Sequence, residues 1–402
     1  MQPSLSRRSL LRAGAAGTFG TFGTVAVGTV GTAVPSYAGA PFILKPLPAG
    51  WFTDFGTNAE MRWDSVSWRD RLTDQARLFV RNHTSTPTID RDAWRLRVFG
   101  TGLATPRVEA DALSLSYADL RALPVSSVTA IHECTGNGRS FFASQQGTPA
   151  AGTAWRLGAV GAVTWEGVRL RDVLARIGVS PSAVSIQATG LDPDYVTGGV
   201  SYSAVRRPFS VDKAFDDALL AWGMNGEPLL PDHGYPLRLV LPGWVGIGSI
   251  KWLGSLEVAD TELTSPWNTK WYRMTGGAYP AGSPPLTVNP VRSAWELPWQ
   301  ATLAARPEIE LTGRSWSGAG EIAHVDVSTD GGTTWRPARP FRLGHQEAWT
   351  QWRHVWTAPT RGDHVLMARS TDRAGRTQPL VTPYNDNGYF FDAVVRHPVT
   401  VA

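Results

Sequence analysis

The sequence predicts an α+β domain followed by an all-β sandwich of immunoglobulin-like type, and three observations predict it. Through residues 41–278, strand-like and helix-like stretches alternate irregularly, without a regular βαβ repeat. Residues 279–290 carry four prolines and read as a linker. Through residues 291–402, short alternating strands recur at roughly regular spacing with glycine turns between them, the rhythm of a β-sandwich.

The elements follow in order. Residues 41–78 are polar and irregular, with Trp51, Trp63 and Trp68 interspersed. A strand runs over Leu78 to His83 and stops at Thr86-Pro87. Trp94 to Gly100 is a second strand, with Leu96 and Val98 on one face and Arg95 and Arg97 on the other. Leu113 to Leu120 reads as a short helix introduced by a serine cap, and β-branched Val125 to Ile131 as a strand. It runs into His132-Glu133-Cys134-Thr135-Gly136-Asn137-Gly138-Arg139, a turn whose glycines permit unusual backbone angles. Residues 161–168 form a strand and turn. Leu170, Val173, Leu174 and Ile177 then make a helix face that Gly178 ends. Val184 to Ala188 and Leu237 to Leu241 read as strands, Leu219 to Met224 as a short apolar segment. Pro231 to Pro236 is a loop and Gly243 to Gly248 a glycine-rich turn. In the C-terminal part, Ile322 to Ser328, Trp352 to Trp356, Asp363 to Ser370 and Ala393 to His397 read as strands, with Asp330-Gly331-Gly332 as a hairpin turn.

At the start of the chain, Arg7-Arg8 precede an uncharged run from Ala13 to Val34, and small residues surround Ser36 to Ala40. Together these resemble a twin-arginine export signal over residues 1–40, implying a folded protein delivered outside the cytoplasm. The run is long enough to span a bilayer, but its many glycines and threonines make it a poor anchor. The full chain carries a net charge of +4; residues 1–40 hold three arginines and no acid, which leaves +1 for the rest. Near-neutrality excludes a general nucleic-acid binder, whose affinity rests on neutralising phosphates. One cysteine excludes an intramolecular disulfide and, with no C-x-x-C-H, a c-type haem. No P-loop or G-x-G-x-x-G pattern, zinc-like spacing or nucleophile-elbow serine is present.

Singly, the polar loop residues are unremarkable: His83 and His233 suit surface or hydrogen-bonded histidines, and Asp192 suits a turn. Cys134 by itself suits a buried structural thiol, although an arginine five residues on favours a thiolate. As a set they differ. Strand ends carry Arg81-Asn82-His83, the Cys134 turn, Asp232-His233-Gly234 with Arg238, and Ser249-Ile250-Lys251. A thiolate with several phosphate-suited cations fits a metal held in an anionic, phosphorylated organic cofactor.

These segments resemble the sulfite oxidase family of molybdopterin enzymes. Phe79-Val80-Arg81-Asn82-His83 matches the family's F-V-R-N-H, and Glu133 to Arg139 its cysteine turn. Gly190-Leu191-Asp192, Asp232 to Arg238 and Ile250 to Leu253 match further segments in order. Val325 to Trp335 resembles the family's dimerisation domain. The likeness runs from about residue 75 to the C-terminus and makes residues 41–278 a molybdopterin-binding domain. By that resemblance Cys134 is the one protein ligand to molybdenum. Phe79, Val80, Arg81, Asn82, His83, Asp192, His233, Arg238, Ser249, Ile250 and Lys251 hold the pterin and its phosphate. Arg81, Arg139 and Arg353 collect an oxyanion, Trp155 lines the pocket, and Tyr202 is the pocket tyrosine, with Tyr195 as its alternative. The implied activity is oxidation of sulfite to sulfate, with electrons passing to a separate c-type cytochrome and two chains pairing through the sandwich. Other readings are oxidation of a protein-bound persulfide, a nitrate- or sulfoxide-type reductase, and a non-catalytic exported module; retention of Cys134 argues against the last. Gly138 stands where relatives usually carry a second arginine, and Thr135 replaces a smaller residue.

Overall fold

The computed structural model describes residues 42–342 and 348–402; the export signal expected over residues 1–40 lies outside the described residues. Among the described residues no helix is long and apolar enough to cross a membrane.

The α+β region is built on two sheets. In one, strand Val125–Glu133 pairs antiparallel with Val160–Arg169, which pairs with Leu219–Met224. Strands Glu227–Pro228 and Arg238–Val240 add to the last of these. The other sheet runs Arg206–Ser210, Ser185–Gly190, Leu253–Ala259, Arg95–Phe99, Leu113–Ser116; only the pair Leu253–Ala259 with Arg95–Phe99 is parallel. Helix Leu170–Ile177 buries Leu170, Val173 and Leu174, and Gly178 ends it at φ 81°. Strands Phe52–Asp54, Asn58–Met61 and Val80–Arg81 form a small third sheet in the stretch that reads as irregular.

Three expected elements shift. Leu113–Ser116 is a strand, because it pairs with Arg95–Val98; the helix is Tyr117–Arg121. Ser116 still caps it: its Oγ accepts from Asp119 N at 3.1 Å and Asp119 returns a bond to Ser116 N at 2.8 Å, a capping box worth about 1 kcal/mol. The last strand is His397–Val401 rather than Ala393 to His397, since it is His397 that begins the pairing with Gly362–Asp372. The proline-rich 279–290 stretch is coil, but it is pinned: Leu286 N donates to Tyr272 O at 2.8 Å and Asn289 N to Gly243 O at 3.0 Å.

The C-terminal region is a sandwich. One sheet runs Arg292–Trp295, Glu308–Trp316, Thr350–Thr357, Arg339–Arg342; the other runs Ala301–Leu303, His397–Val401, Gly362–Asp372, Ile322–Ser328, Arg336–Pro337. Between them Trp295 meets Trp352 edge to face at 4.8 Å. The sandwich also shares a core with the α+β region. Trp63, Ile131, Phe141 and Phe142 pack with Trp316, Trp349 and Phe391. Truncating one such tryptophan to alanine costs about 3–5 kcal/mol. The strand that leads to Cys134 is thus backed by the sandwich.

Candidate active site

Cys134 follows the last residue of strand Val125–Glu133, where the chain leaves the sheet and folds back. Its N–H donates to Ala159 O at 2.9 Å, and its carbonyl accepts Asn137 N at 2.9 Å. Arg139 N closes on Gly136 O at 3.0 Å. A Cβ on Gly136 would lie 2.5 Å from Arg139 Nη2, so only glycine lets the Arg139 side chain fold back over the turn. The thiol is half-buried.

A cavity partly open to solvent lies against it. Cys134, Thr135, His132, Phe79, Arg81 and His83 line it, with the Phe79 ring stacked on His132 at 5.6 Å. Asp192, His233, Arg238, Ser249, Ile250 and Lys251 complete the set of expected lining residues. Strand alternation explains which members of Phe79–His83 face in: Phe79 and Arg81 line the cavity, while Val80 packs with Ile43, Phe52 and Ala59 on the opposite side. Asn82 does not line the cavity; its Oδ1 accepts from Lys251 Nζ and its Nδ2 donates to Phe42 O at 2.8 Å, so it steadies the lysine.

The electrostatics are one-sided. Arg238 is fully buried, donating from Nη1 to His233 O and from Nη2 to Ser249 O, each at 3.0 Å, with its guanidinium 4.6 Å from the Trp165 ring centre. Burial pushes it down to about 9. Burial, followed by Arg238, brings Lys251 down to about 7. His83, His132 and His233 are held neutral, well below the usual histidine range, first by burial and then by nearby cations: Arg81 and Lys251 at His83, Arg238 and Lys251 at His132, and Lys45, Lys251 and Arg238 at His233. Trp267 Nε1–H donates to His83 Nε2 at 3.3 Å, which leaves Nδ1 to carry that ring's proton. Burial raises Asp192 to about 7 against the pull of Lys251. The Asp232 carboxylate is spent on the N–H groups of Leu44 and Lys45 and on the Thr86 hydroxyl. Arg81 Nη1, Arg238 Nε and Thr135 Oγ1 are buried without a hydrogen-bond partner.

Five expected residues, with Tyr195 as the alternative to Tyr202, stand elsewhere. Trp155 is buried behind Phe79, meeting its ring edge-on at 6.3 Å, and is not in the cavity wall. Arg139 is nearly buried beside the turn, donating to Asn387 O at 2.8 Å and Thr153 O at 2.9 Å, so it backs Cys134 rather than lining the cavity. Tyr202 sits on a surface hairpin against Trp271, ring centres 4.8 Å apart, with Lys270 at its hydroxyl. Tyr195 touches His83 edge-on at 5.2 Å from outside. The tyrosine that lines the cavity is Tyr272, its hydroxyl 3.4 Å from His83 Nε2 and its ring stacked on Tyr389 at 5.2 Å. Arg353 is on strand Thr350–Thr357, where alternation buries Trp352 and turns Arg353 outward to Glu310 at 3.3 Å. Of the lining residues not singled out by sequence, His132 carried a signal: it lies on the strand that leads into the turn, two residues before Cys134. Tyr272 carried none, because it lies in coil at φ 57°.

Unpartnered guanidinium nitrogens, a buried lysine and neutral histidines suit a phosphorylated, anionic organic ligand. Among the described residues no three His, Cys, Asp or Glu side chains gather as a metal site, so a metal on Cys134 takes its other ligands from a cofactor. This donor set fits a molybdenum–pterin cofactor. Cys134 would hold the metal; Arg81, His233, Arg238 and Lys251 would hold the anionic pterin.

Comparison with known proteins agrees. Residues 83–267 match the oxidoreductase molybdopterin binding domain, and residues 288–400 the Mo-co oxidoreductase dimerisation domain. Sulfite oxidase of chicken (Gallus gallus) is 34% identical over 326 residues, 77% of this chain and 68% of that protein. Mitochondrial sulfite oxidase of mouse (Mus musculus) is 33% identical over 323 residues, 75% of this chain and 56% of that protein; the chain thus spans little more than half of the mouse protein. Among solved structures, the sulfane dehydrogenase SoxCD from Paracoccus pantotrophus is similar with a TM-score of 0.70 and 26% identity, over 87% of this chain and 85% of that one. With the cysteine turn, the cation-lined cavity and the sandwich all in place, the chain belongs to the sulfite oxidase family of molybdopterin-dependent oxidoreductases.

Proposed function

We propose that this protein oxidises sulfite to sulfate at the Cys134 cavity. The single observation that carries the reading is the excess of buried positive charge beside one half-buried thiol. When bound, the molybdenum cofactor supplies the oxygen-atom and two-electron chemistry. The chain supplies the rest. Cys134 Sγ holds the metal at the cavity wall. Arg238 and Lys251 neutralise the pterin phosphate, and Asn82 keeps Lys251 aimed inward. Arg81, with Nη1 unpartnered, offers a fork to a doubly charged oxyanion leaving water, and Arg139 adds positive potential from behind the turn. His83, fixed by Trp267 and close to Tyr272, presents a neutral ring beside Arg81.

Electrons then leave singly, in our reading to a separate c-type cytochrome, with the enzyme exported by the twin-arginine route and paired through its C-terminal sandwich. The similarity to SoxCD supports a second reading in which the donor is a protein-bound persulfide. The test is sulfite-dependent ferricyanide reduction by purified protein of measured molybdenum content. Turnover that Arg81→Met slows mainly through a raised KM supports sulfite. Molybdenum in place with no sulfite turnover discards sulfite and leaves the persulfide reading.

A further inference from the structure

The residue before the thiol is held from the other domain. Glu133 is wholly buried, and both carboxylate oxygens are engaged. Oε2 accepts Trp316 Nε1–H at 3.0 Å; Oε1 accepts Asn137 Nδ2 at 2.8 Å and lies 3.3 Å from Arg292 Nε. Arg292 also donates from Nη1 to Asn137 O. Asn137 passes the constraint on: its Oδ1 accepts Ala159 N at 3.1 Å, and its own N–H donates to Cys134 O at 2.9 Å. Arg292 and Trp316 both belong to the sandwich, on strands Arg292–Trp295 and Glu308–Trp316. A third tie comes from the same side, where Phe390 N donates to Thr135 O at 3.1 Å. Gly138 makes room: it adopts φ +87°, and a Cβ there would stand 3.1 Å from both Arg292 Nη1 and Phe391 Cβ. The position without a second arginine is therefore the one against which the Arg292 guanidinium packs.

A buried ion pair is weak support for stability, since a well-packed apolar pair serves as well or better. This one is placed on the residue preceding the thiol, whose carboxylate is fixed by two hydrogen-bond donors, Asn137 and Trp316, and by the Arg292 ion pair, from two domains. Partners of this kind orient a metal ligand that they do not themselves replace. We propose that Glu133 is a positioning residue for the Cys134 thiol, and that Arg292 and Trp316 act through it, so that the C-terminal sandwich sets the geometry of the catalytic turn. The proposal rests on Cys134 being the metal ligand; it does not require that the substrate be sulfite.

The test compares Glu133→Gln, Arg292→Lys and Trp316→Phe with Arg314→Lys, which weakens another buried ion pair of the sandwich, Arg314–Glu296. Molybdenum-loaded proteins are read for kcat and KM per molybdenum and for the visible thiolate-to-molybdenum absorption band. Cofactor-free proteins are read for the alkylation rate of Cys134, the only thiol in the chain. Glu133→Gln is expected to lower kcat about 10-fold or more, in line with the loss of partners that orient a metal ligand. KM stays within about twofold, the band moves and the alkylation rate changes. Trp316→Phe keeps an aromatic ring, smaller than indole, and removes the N–H donor; it moves the same readouts less, and decides the matter if Glu133→Gln does not fold. Arg314→Lys lowers the melting temperature and leaves the band and the alkylation rate unmoved. Wild-type band and alkylation rate in folded Glu133→Gln and Trp316→Phe overturn the proposal, as does an equal shift in Arg314→Lys. If the wild type holds molybdenum but does not turn over sulfite, the functional reading fails while the band and the alkylation rate still decide this one.

Discussion

In the C-terminal sandwich, Arg314 is wholly buried with Glu296 at 2.5 Å and the Trp349 ring 4.4 Å beneath it, and Arg376 closes on buried Asp372 at 2.8 Å. At the cavity of the α+β region, Arg81, Arg238 and Lys251 make no carboxylate pair within 4.0 Å among the described residues. Both regions bury cations, and only one balances them. Desolvating an unpaired charge costs several kcal/mol, so a fold keeps one where a ligand will offset it. In the sandwich the paired arginines serve the architecture; at the cavity the unpaired cations mark the site.

Substitutions sharpen this contrast. The largest effect falls on Cys134→Ser, which is expected to abolish sulfite-dependent ferricyanide reduction while leaving the melting temperature near wild type. Next is Arg314→Met in the sandwich. It strands the Glu296 carboxylate and should cost about 3–5 kcal/mol in chemical denaturation. Arg81→Met removes a cation with an unpartnered nitrogen, so the cofactor-free protein should hold or gain stability, by up to about 2 kcal/mol. A loss as large as that of Arg314→Met would break the contrast.

A smaller effect is pH-dependent. His397 donates to Pro298 O at 2.9 Å, and burial pushes its imidazole down to about 4. Between the ordinary value near 6.5 and about 4, the unfolded chain binds a proton that the folded chain refuses. The stability from this group is therefore intact above about pH 6.5 and lost as pH falls towards 4, on the order of 3 kcal/mol in all. Denaturation midpoints of His397→Gln measured from pH 7 to 4 should fall less steeply than those of wild type. The smallest effect belongs to Arg353→Met. Its pair with Glu310 is exposed, so the change should cost under about 1 kcal/mol and leave the KM for sulfite unmoved. A severalfold rise in KM would return Arg353 to the anion site.

Much of the site was legible because its parts are local. Phe79 to His83, the Cys134 turn, Asp192, the segment from His233 to Arg238 and Ser249 to Lys251 each sit where a strand ends, and the fold gathers those ends. The misread residues depend on paths that no local pattern encodes. Tyr202 leaves on a hairpin, while Tyr272 enters from coil in a left-handed conformation. Arg353 sits on a sandwich strand, where it pairs with Glu310 and does not line the cavity. The Leu113–Ser116 strand looked helical because its serine cap belongs to the next element. Glu133 was visible in the motif, but its partners Arg292 and Trp316 lie more than 150 residues away and only the structure brings them together.

The most direct test of the account is molybdenum bound per chain in purified Arg238→Met beside wild type, with folding checked by thermal melting. Loss of the buried guanidinium should reduce occupancy to about a tenth or less in a folded protein, as expected for losing a charge-assisted anion contact. Wild-type occupancy in that variant would contradict the claim that the unpaired cations of this cavity hold the cofactor.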